Sequence, residues 1–255
     1  MFVRDTAMMS RFILPRSVPS RSSPVADAAA VLDPIVVSDF GRRLRSWYRR
    51  SARDLPWRRT RDAYRILVSE LMLQQTQVSR VVPKYHEFLK TFPSLAHVAR
   101  ATPDRVMEAW AGLGYYARAR NLHRLALHVT SDGTRRRAKL PSEPHELREL
   151  PGIGAYTAGA VASFAYGKRA ALVDTNVARV LSRVFAPSLS PKRPRDLAAI
   201  WRIAELSLPR TGSATWTHNQ ALMELGALVC TARVAHCDRC PVRAVCATAA
   251  NASEG

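Results

Sequence analysis

Acidic residues are scarce in this chain. Its 255 residues carry 39 Lys and Arg against 20 Asp and Glu, a formal net charge of +19. Self-repulsion of that size adds nothing to a fold, so the imbalance points to a polyanionic partner. Arg42 to Arg61 concentrates it, with nine arginines and one acid, Asp54. Long apolar runs are also lacking. No stretch is long enough to span a bilayer, which sets membrane insertion aside and leaves nucleic acid as the expected polyanion. Alternating runs of β-branched residues are absent, which excludes a sheet-built domain. Cysteines number four, all between Cys230 and Cys246. A secreted disulfide scaffold spreads its cysteines along the chain, and no signal peptide is present here. The cluster therefore points to a metal site in a reducing compartment.

What remains is helical. Hydrophobic content is 47%, and the length suits one large domain or two small ones. Residues 1–34 mix Ser, Pro, Ala and Arg without periodicity and read as a disordered tail. From Ile35 the pattern has helical period, with Phe40, Leu44, Trp47 and Tyr48 on one face. Leu55-Pro56-Trp57-Arg58 breaks it. Tyr64 to Val81 reads as a second, strongly apolar helix, and Pro83, Pro93 and Pro103 punctuate short helices after it. Val106 to Trp110 ends one helix, Gly112-Leu113-Gly114 turns the chain, and Tyr115 to Val129 forms another. Ser131 to Lys139 is a basic loop. Further helices are expected over Ala155–Phe164, Leu172–Val184, Pro194–Leu208 and Trp216–Val229. The expected fold class is all-α.

Leu150-Pro-Gly-Ile-Gly-Ala155 joins two of these helices. Gly152 and Gly154 permit a sharp turn and leave bare N–H groups at a helix start, an arrangement suited to a phosphate. A hairpin that merely packs is the competing reading. Glu70 lies in Ile66-Leu-Val-Ser-Glu-Leu-Met-Leu-Gln-Gln-Thr-Gln77. Continued as a helix, this segment puts Gln74 and Gln77 on the Glu70 face. A carboxyl in apolar company loses water, its pKa rises, and it can act as a general acid. Asp174 closes Ala170-Ala-Leu-Val173 where a helix N-cap belongs. A cap can also work as an ionised carboxylate, held so by helix N–H groups. One protonated and one ionised carboxyl form the pair that breaks a glycosidic bond. The cysteines follow C-x6-C-x2-C-x5-C. Structural zinc prefers two close pairs, whereas four thiolates in one loop suit a [4Fe–4S] cluster; zinc remains the alternative.

Four motifs together resemble the helix-hairpin-helix DNA glycosylases, and among them the adenine DNA glycosylases of the MutY type. They are Leu55-Pro-Trp-Arg58, Ser69-Glu-Leu-Met-Leu-Gln-Gln-Thr-Gln77, Gly112-Leu-Gly-Tyr-Tyr-Ala-Arg-Ala-Arg-Asn-Leu122 and Leu150–Ala160. The cysteine loop is shared with the endonuclease III relatives. The resemblance spans Asp39 to Ala247. It implies two helical lobes, residues 35–62 with 171–250 carrying a [4Fe–4S] cluster on Cys230, Cys237, Cys240 and Cys246, and residues 63–170 with the hairpin at 145–165. Double-stranded DNA bearing a mispair would cross between them, bound by a cytoplasmic, nucleoid-associated monomer. Glu70 is then the acid that protonates a flipped adenine opposite 8-oxoguanine or guanine. Asp174 is the carboxylate at the sugar, with Asn176 beside it. Trp57, Arg58 and Gln220 line the base pocket, Tyr115 and Gln75 wedge the duplex, and Gly152 and Gly154 hold the backbone. Tyr156 stands where bifunctional relatives carry a nucleophilic lysine, which implies a monofunctional, water-using glycosylase; Lys168 lies past the helix end. The chain stops nine residues after Cys246, so the usual C-terminal 8-oxoguanine-reading domain is expected to be missing. Thr175 stands where many members have glycine. Competing expectations are a thymine or uracil mismatch glycosylase of the same superfamily and a non-catalytic DNA-binding iron–sulfur protein.

Overall fold

A computed structural model describes residues 32–131 and 139–251. The expected tail through residue 31 and most of the basic loop, residues 132–138, lie outside the described residues. The first helix, α1, runs Pro34–Ser51. The Asp33 side chain caps it by accepting the Ile35 N–H at 2.7 Å, and Pro34 brings a helical φ to the first turn. Phe40, Leu44 and Tyr48 are its buried face, as the periodicity predicts. A 3-10 turn at Pro56–Arg58 follows, then α2, Ala63–Leu73, capped by Asp62. The next helices are α3 (Val78–Thr91), α4 (Leu95–Arg100), α5 (Pro103–Ala109) and α6 (Ala117–Thr130). The hairpin helices are α7 (Pro144–Arg148) and α8 (Ala155–Tyr166). The chain closes with α9 (Thr175–Phe185), α10 (Pro194–Ser207), α11 (Gly212–Leu228) and α12 (Ala247–Asn251). No strand occurs among the described residues; a lone bridge pairs Cys230 with Ala235.

The structure corrects three expectations. The single helix over Tyr64–Val81 is two helices, with α2 ending at Leu73 and α3 starting at Val78. Gln74 is then the C-cap of α2 and Gln77 the N-cap of α3, so the helix that carries Glu70 does not run on to Gln77. Pro83 does not start a helix but lies inside α3, close enough to its beginning that a single interior hydrogen bond is lost. Residues 167–174 are non-helical, so α9 begins at Thr175 and not at Leu172. Ala170, Leu172 and Val173 are buried in this non-helical approach, which is why the apolar pattern continues into it.

Two groups of helices share the core. In one, α2 packs on α3, α6 and α8, and α6 on α4 and α5. In the other, α9 and α1 both pack on α11 and on α10. Contact between α8 and α11 joins the groups. The small residues of α8 allow that closeness. A Cβ on Gly159 would lie 2.0 Å from the Ala171 carbonyl oxygen, and one on Gly226 of α11 would lie 2.7 Å from Asn176 Cβ. These close approaches seat the residue 167–176 segment, which carries Asp174 and Asn176.

Candidate active site

A cavity of about 710 Å³ opens between the two groups. It is lined from the 3-10 turn by Trp57 and Arg58, from α2 by Glu70, and from the α2–α3 loop by Gln75. Tyr156 at the start of α8, Asp174 and Asn176 at the start of α9, and Gln220 of α11 complete it. Eight of the nine side chains expected at the catalytic centre and the base are thus brought together. Tyr115 is not among the lining residues and stands 58% exposed.

Glu70 is only 3% exposed, set in the most apolar stretch of α2. Tyr156 Oη donates to Glu70 Oε2 at 2.8 Å and lies 3.8 Å from Met223 Sδ. Burial pushes the Glu70 carboxyl up to about 7; the Tyr156 hydrogen bond opposes this, and the charge of Asp174 adds to it. Burial also raises the Tyr156 phenol, with the two carboxylates adding, so it stays the donor. Asp174 caps α9. Its Oδ1 accepts the Val177 N–H at 2.7 Å and its Oδ2 accepts Asn176 Nδ2 at 3.0 Å. Asn176 Oδ1 in turn accepts Arg179 Nη2 at 2.8 Å, and Arg179 also reaches the Gly226 and Cys230 carbonyls.

A second buried carboxyl was not among the residues singled out from sequence. Glu224 Oε1 accepts the backbone N–H and Nε of Arg53, both at 2.9 Å, and Oε2 accepts Arg53 Nη2 and Arg58 Nη2, each at 2.8 Å. Burial alone would raise Glu224, but hydrogen bonds from Arg53 and Arg58 overcome it and hold the carboxyl at about 2. Arg58 Nε donates to Gln220 Oε1 at 2.9 Å. A guanidinium only donates, so Gln220 must turn its carbonyl to Arg58 and keep its NH2 for a ligand. Glu224 lies within Ala221-Leu-Met-Glu-Leu225, the same signal of an acid inside an apolar helix that marked Glu70.

Gln75 and Tyr115 are the non-glycine residues of the described chain with left-handed backbone, at φ 55° and 48°. Each such conformation costs on the order of 1 kcal/mol or more and persists only where its surroundings enforce it. Arg118, 7% exposed on α6, lies between the two. Its Nη1 donates to the Leu71, Met72 and Gln74 carbonyls at 2.8, 2.9 and 2.6 Å. Its Nη2 donates to Thr76 Oγ1 at 3.2 Å and to the Leu113 and Gly114 carbonyls at 3.1 and 3.0 Å. Sequence reading passed over Arg118 because arginines are everywhere in this chain.

The hairpin forms where expected. Gly152 has φ 79°, and a Cβ there would lie 2.5 Å from Asn121 Cβ, so both conformation and space require glycine. Gly154 departs from expectation: its extended backbone (φ −89°, ψ 174°) is open to any residue. It caps α8, and a Cβ at this position would meet nothing within 4 Å, which leaves an open approach to the helix N-terminus. Buried Ile153 pins the turn between them. Lys168 pairs with Glu143, away from the cavity.

Cys230, Cys237, Cys240 and Cys246 line a common cavity of about 200 Å³ at the ends of α9 and α11. Arg183 Nη1 lies 3.3 Å from Cys230 Sγ. Burial pushes the Cys240 thiol up to about 11, with the other three cysteines adding to the rise. Burial raises the Cys246 thiol as well, so a thiolate at either position needs a cationic centre beside it. Among the described residues, no three His, Cys, Asp or Glu side chains converge closely enough to hold one metal ion. The four side chains face one cavity, a donor set of the kind that holds a metal centre.

The chain is similar to known proteins over most of its length. An adenine DNA glycosylase of Mycolicibacterium smegmatis is 46% identical over 201 residues, 78% of this chain and 66% of that protein. The Homo sapiens adenine DNA glycosylase is 41% identical over 84% of this chain and 40% of its own length. That of Mycobacterium tuberculosis is 42% identical over 84% of this chain and 68% of its own. The chain thus spans between two fifths and about two thirds of the length of these relatives. Among solved structures, a thermostable thymine-DNA glycosylase superposes with TM-score 0.76 at 28% identity, covering 85% of this chain and 98% of that one. A trapped endonuclease III–DNA intermediate shares the fold at TM-score 0.71 and 19% identity, covering 87% and 99%. A family model described as the HhH-GPD superfamily base excision DNA repair protein matches residues 68–203, from the helix that carries Glu70 through the hairpin to α10. With that match over more than half its length, the chain belongs to the HhH-GPD superfamily of base excision DNA repair proteins.

Proposed function

We propose that this chain is a monofunctional adenine DNA glycosylase acting on adenine mispaired with 8-oxoguanine or guanine. The observation that carries the reading is the pairing, in one cavity, of Glu70 at about 7 with Asp174 held by two N–H donors, under a tyrosine where an amine nucleophile would stand. An extruded adenine enters between Trp57 and the Arg58–Gln220 pair. Glu70 transfers its proton to N7 of the base. The C1′–N9 bond breaks, its electron pair leaves with the base, and the sugar becomes oxocarbenium-like. Asp174 stabilises that cation. Water then adds at C1′ and loses a proton, leaving an abasic site. No lysine lines the cavity among the described residues, so no imine with the sugar is available. Gly152 and Gly154 receive a phosphate on the exposed turn, and Gln75 with Tyr115 fill the space of the extruded base. Residues 35–62 with 171–250 form one lobe and 63–170 the other, with DNA crossing between.

Cys230, Cys237, Cys240 and Cys246 hold a [4Fe–4S] cluster in this reading. The cluster supplies a redox-capable staple for the ends of α9 and α11, and no step of base release runs through it.

One observation favours a second reading: the likeness to the thymine-DNA glycosylase takes in 98% of that chain and 85% of this one. Single-turnover excision on A:8-oxoguanine, A:G, T:G and U:G duplexes separates the two. Release of adenine is expected. Release of thymine or uracil without adenine overturns the proposal.

A further inference from the structure

We propose that Arg118 is a positioning residue that locks the Gln75 loop and the Tyr115 loop into one rigid DNA-facing unit. The inference rests on the glycosylase reading for its functional half and on geometry alone for its structural half. The two loops are distant in sequence and come from different helices. Each holds a residue in left-handed backbone, and Gly112 and Gly114, at φ 89° and 69°, add two more positive-φ positions to the second loop. Their own direct tie is one long bond, Thr76 Oγ1 donating to the Leu113 carbonyl at 3.4 Å, and the first loop touches α8 through Gln74 Nε2 and Thr157 Oγ1 at 3.5 Å. Both share one guanidinium, buried at 7% exposure.

The chemistry of that group decides what it does. Its two terminal nitrogens divide between the loops, one serving the C-terminal carbonyls of α2 and the other bridging Thr76 to the Leu113–Gly114 peptide. Those α2 carbonyls have lost their helical partners, and a cation at a helix C-terminus satisfies them. The guanidinium carbon also lies 5.3 Å from the centre of the Tyr115 ring and 5.6 Å from that of Trp110, so it supports the exposed ring from beneath. Each of its terminal-nitrogen bonds goes to a carbonyl or hydroxyl and none to a carboxylate. Charge pairing is therefore not its purpose here. A planar fork spans two loops at fixed spacing; a lysine ammonium on one point cannot. Exposed Gln75 and Tyr115 are then presented together, at a distance the free loops would not keep.

The test uses the full chain. Arg118→Lys keeps the cation and removes the fork; Arg118→Ala leaves a hole that free guanidinium can enter. Amide hydrogen exchange should speed up over 74–77 and 113–116 together in both variants, with the 150–156 hairpin unchanged. Fluorescence of 2-aminopurine placed opposite 8-oxoguanine should report lost base extrusion, and single-turnover excision should fall about 100-fold, the scale of a small misplacement at an active site. Added guanidinium should restore extrusion in Arg118→Ala and not in Arg118→Lys, a rescue that general destabilisation does not produce. Unchanged exchange, loosening of one loop alone, or loosening of both with wild-type extrusion overturns the proposal. Should the wild type excise no base from any duplex, the glycosylase reading fails, and the exchange measurement still upholds or overturns Arg118 as the joint between loops.

Discussion

Glu70 is costly to fold and useful once folded. Its carboxyl ionises at 4.5 in an unfolded chain and at about 7 here, because burial disfavours the charge. The folded state therefore binds the proton more tightly. Stability from this group is full below pH 4.5 and is lost as pH rises through about 7. Glu70→Gln keeps the acceptor for Tyr156 and removes the titration. It is expected to abolish base release, leave duplex affinity near wild type, and raise stability above pH 7 by up to about 3 kcal/mol. Quench-flow excision, binding isotherms and urea melts at pH 6 and pH 8 check the three parts. If Glu70→Gln releases base at the wild-type rate, its role as acid fails. Excision by the wild type should decline as pH rises past about 7, tracking loss of the Glu70 proton. Glu224 behaves oppositely. Held at about 2 by Arg53 and Arg58, it contributes stability above pH 4.5 that is lost as pH falls through about 2. Its side chain is fully buried, so Glu224→Ala strands two cations and should cost about 3 kcal/mol. The same change should loosen Arg58 and Gln220 and weaken ground-state binding of the base, seen as a raised KM. Both carboxyls are legible as acids within apolar helices; their opposite charge states are not, because Arg53 and Arg58, distant in sequence, reach Glu224 while Glu70 meets the Tyr156 hydroxyl.

At the scale of elements, the approach into α9 matters more than the helix itself. Asp174 faces the cavity because residues 167–174 lie flat against α8, and they can do so only where α8 has no side chain. Gly159→Ala puts a methyl carbon 2.0 Å from the Ala171 carbonyl oxygen. Backbone must move, and overpacking of this kind costs about 1–3 kcal/mol. The expected result is a lowered melting temperature and a fall in kcat with KM little changed, since the sugar-facing carboxylate shifts while the base pocket stays. An unaltered kcat in a folded Gly159→Ala protein would sink that argument. On α11, His218 is buried with both ring nitrogens lacking a partner and its edge against Phe40 at 6.0 Å. Burial, with Arg45 adding, pushes the ring down to about 3, so it is neutral. His218→Phe removes unsatisfied nitrogens and should leave stability unchanged or higher in a thermal melt.

For the whole molecule, charge and the cysteine cavity set the expectations. Duplex affinity should fall by about a thousandfold for a roughly fourfold rise in salt, through release of counterions from contacted phosphates. A salt-independent affinity would remove the basic surface from the DNA-binding account. Protein isolated without oxygen should be brown and carry about four irons per chain if the thiols hold a [4Fe–4S] cluster; colourless protein with one zinc refutes it. Chelation should then loosen the ends of α9 and α11, whose apolar residues form the wall of that cavity. Among the described residues no helix is long and apolar enough to cross a membrane, in line with the lack of apolar runs.

Periodicity, caps and composition by themselves determined the helical class, most helix positions, the hairpin glycine at Gly152, and the chain's own positive charge. Each is a local or additive property, written in neighbouring residues or in their sum. Tertiary structure alone decided where α2 stops. Nothing in Gln74-Gln75-Thr76-Gln77 breaks a helix; the carbonyls that a next turn of α2 would use are met by Arg118 from α6. The same holds for the pairing of Glu70 with Tyr156, 86 residues on, and of Arg58 with Glu224, 166 residues on. A buried charge takes its state from whatever donors packing brings to it, and packing is not a property of any one stretch of chain.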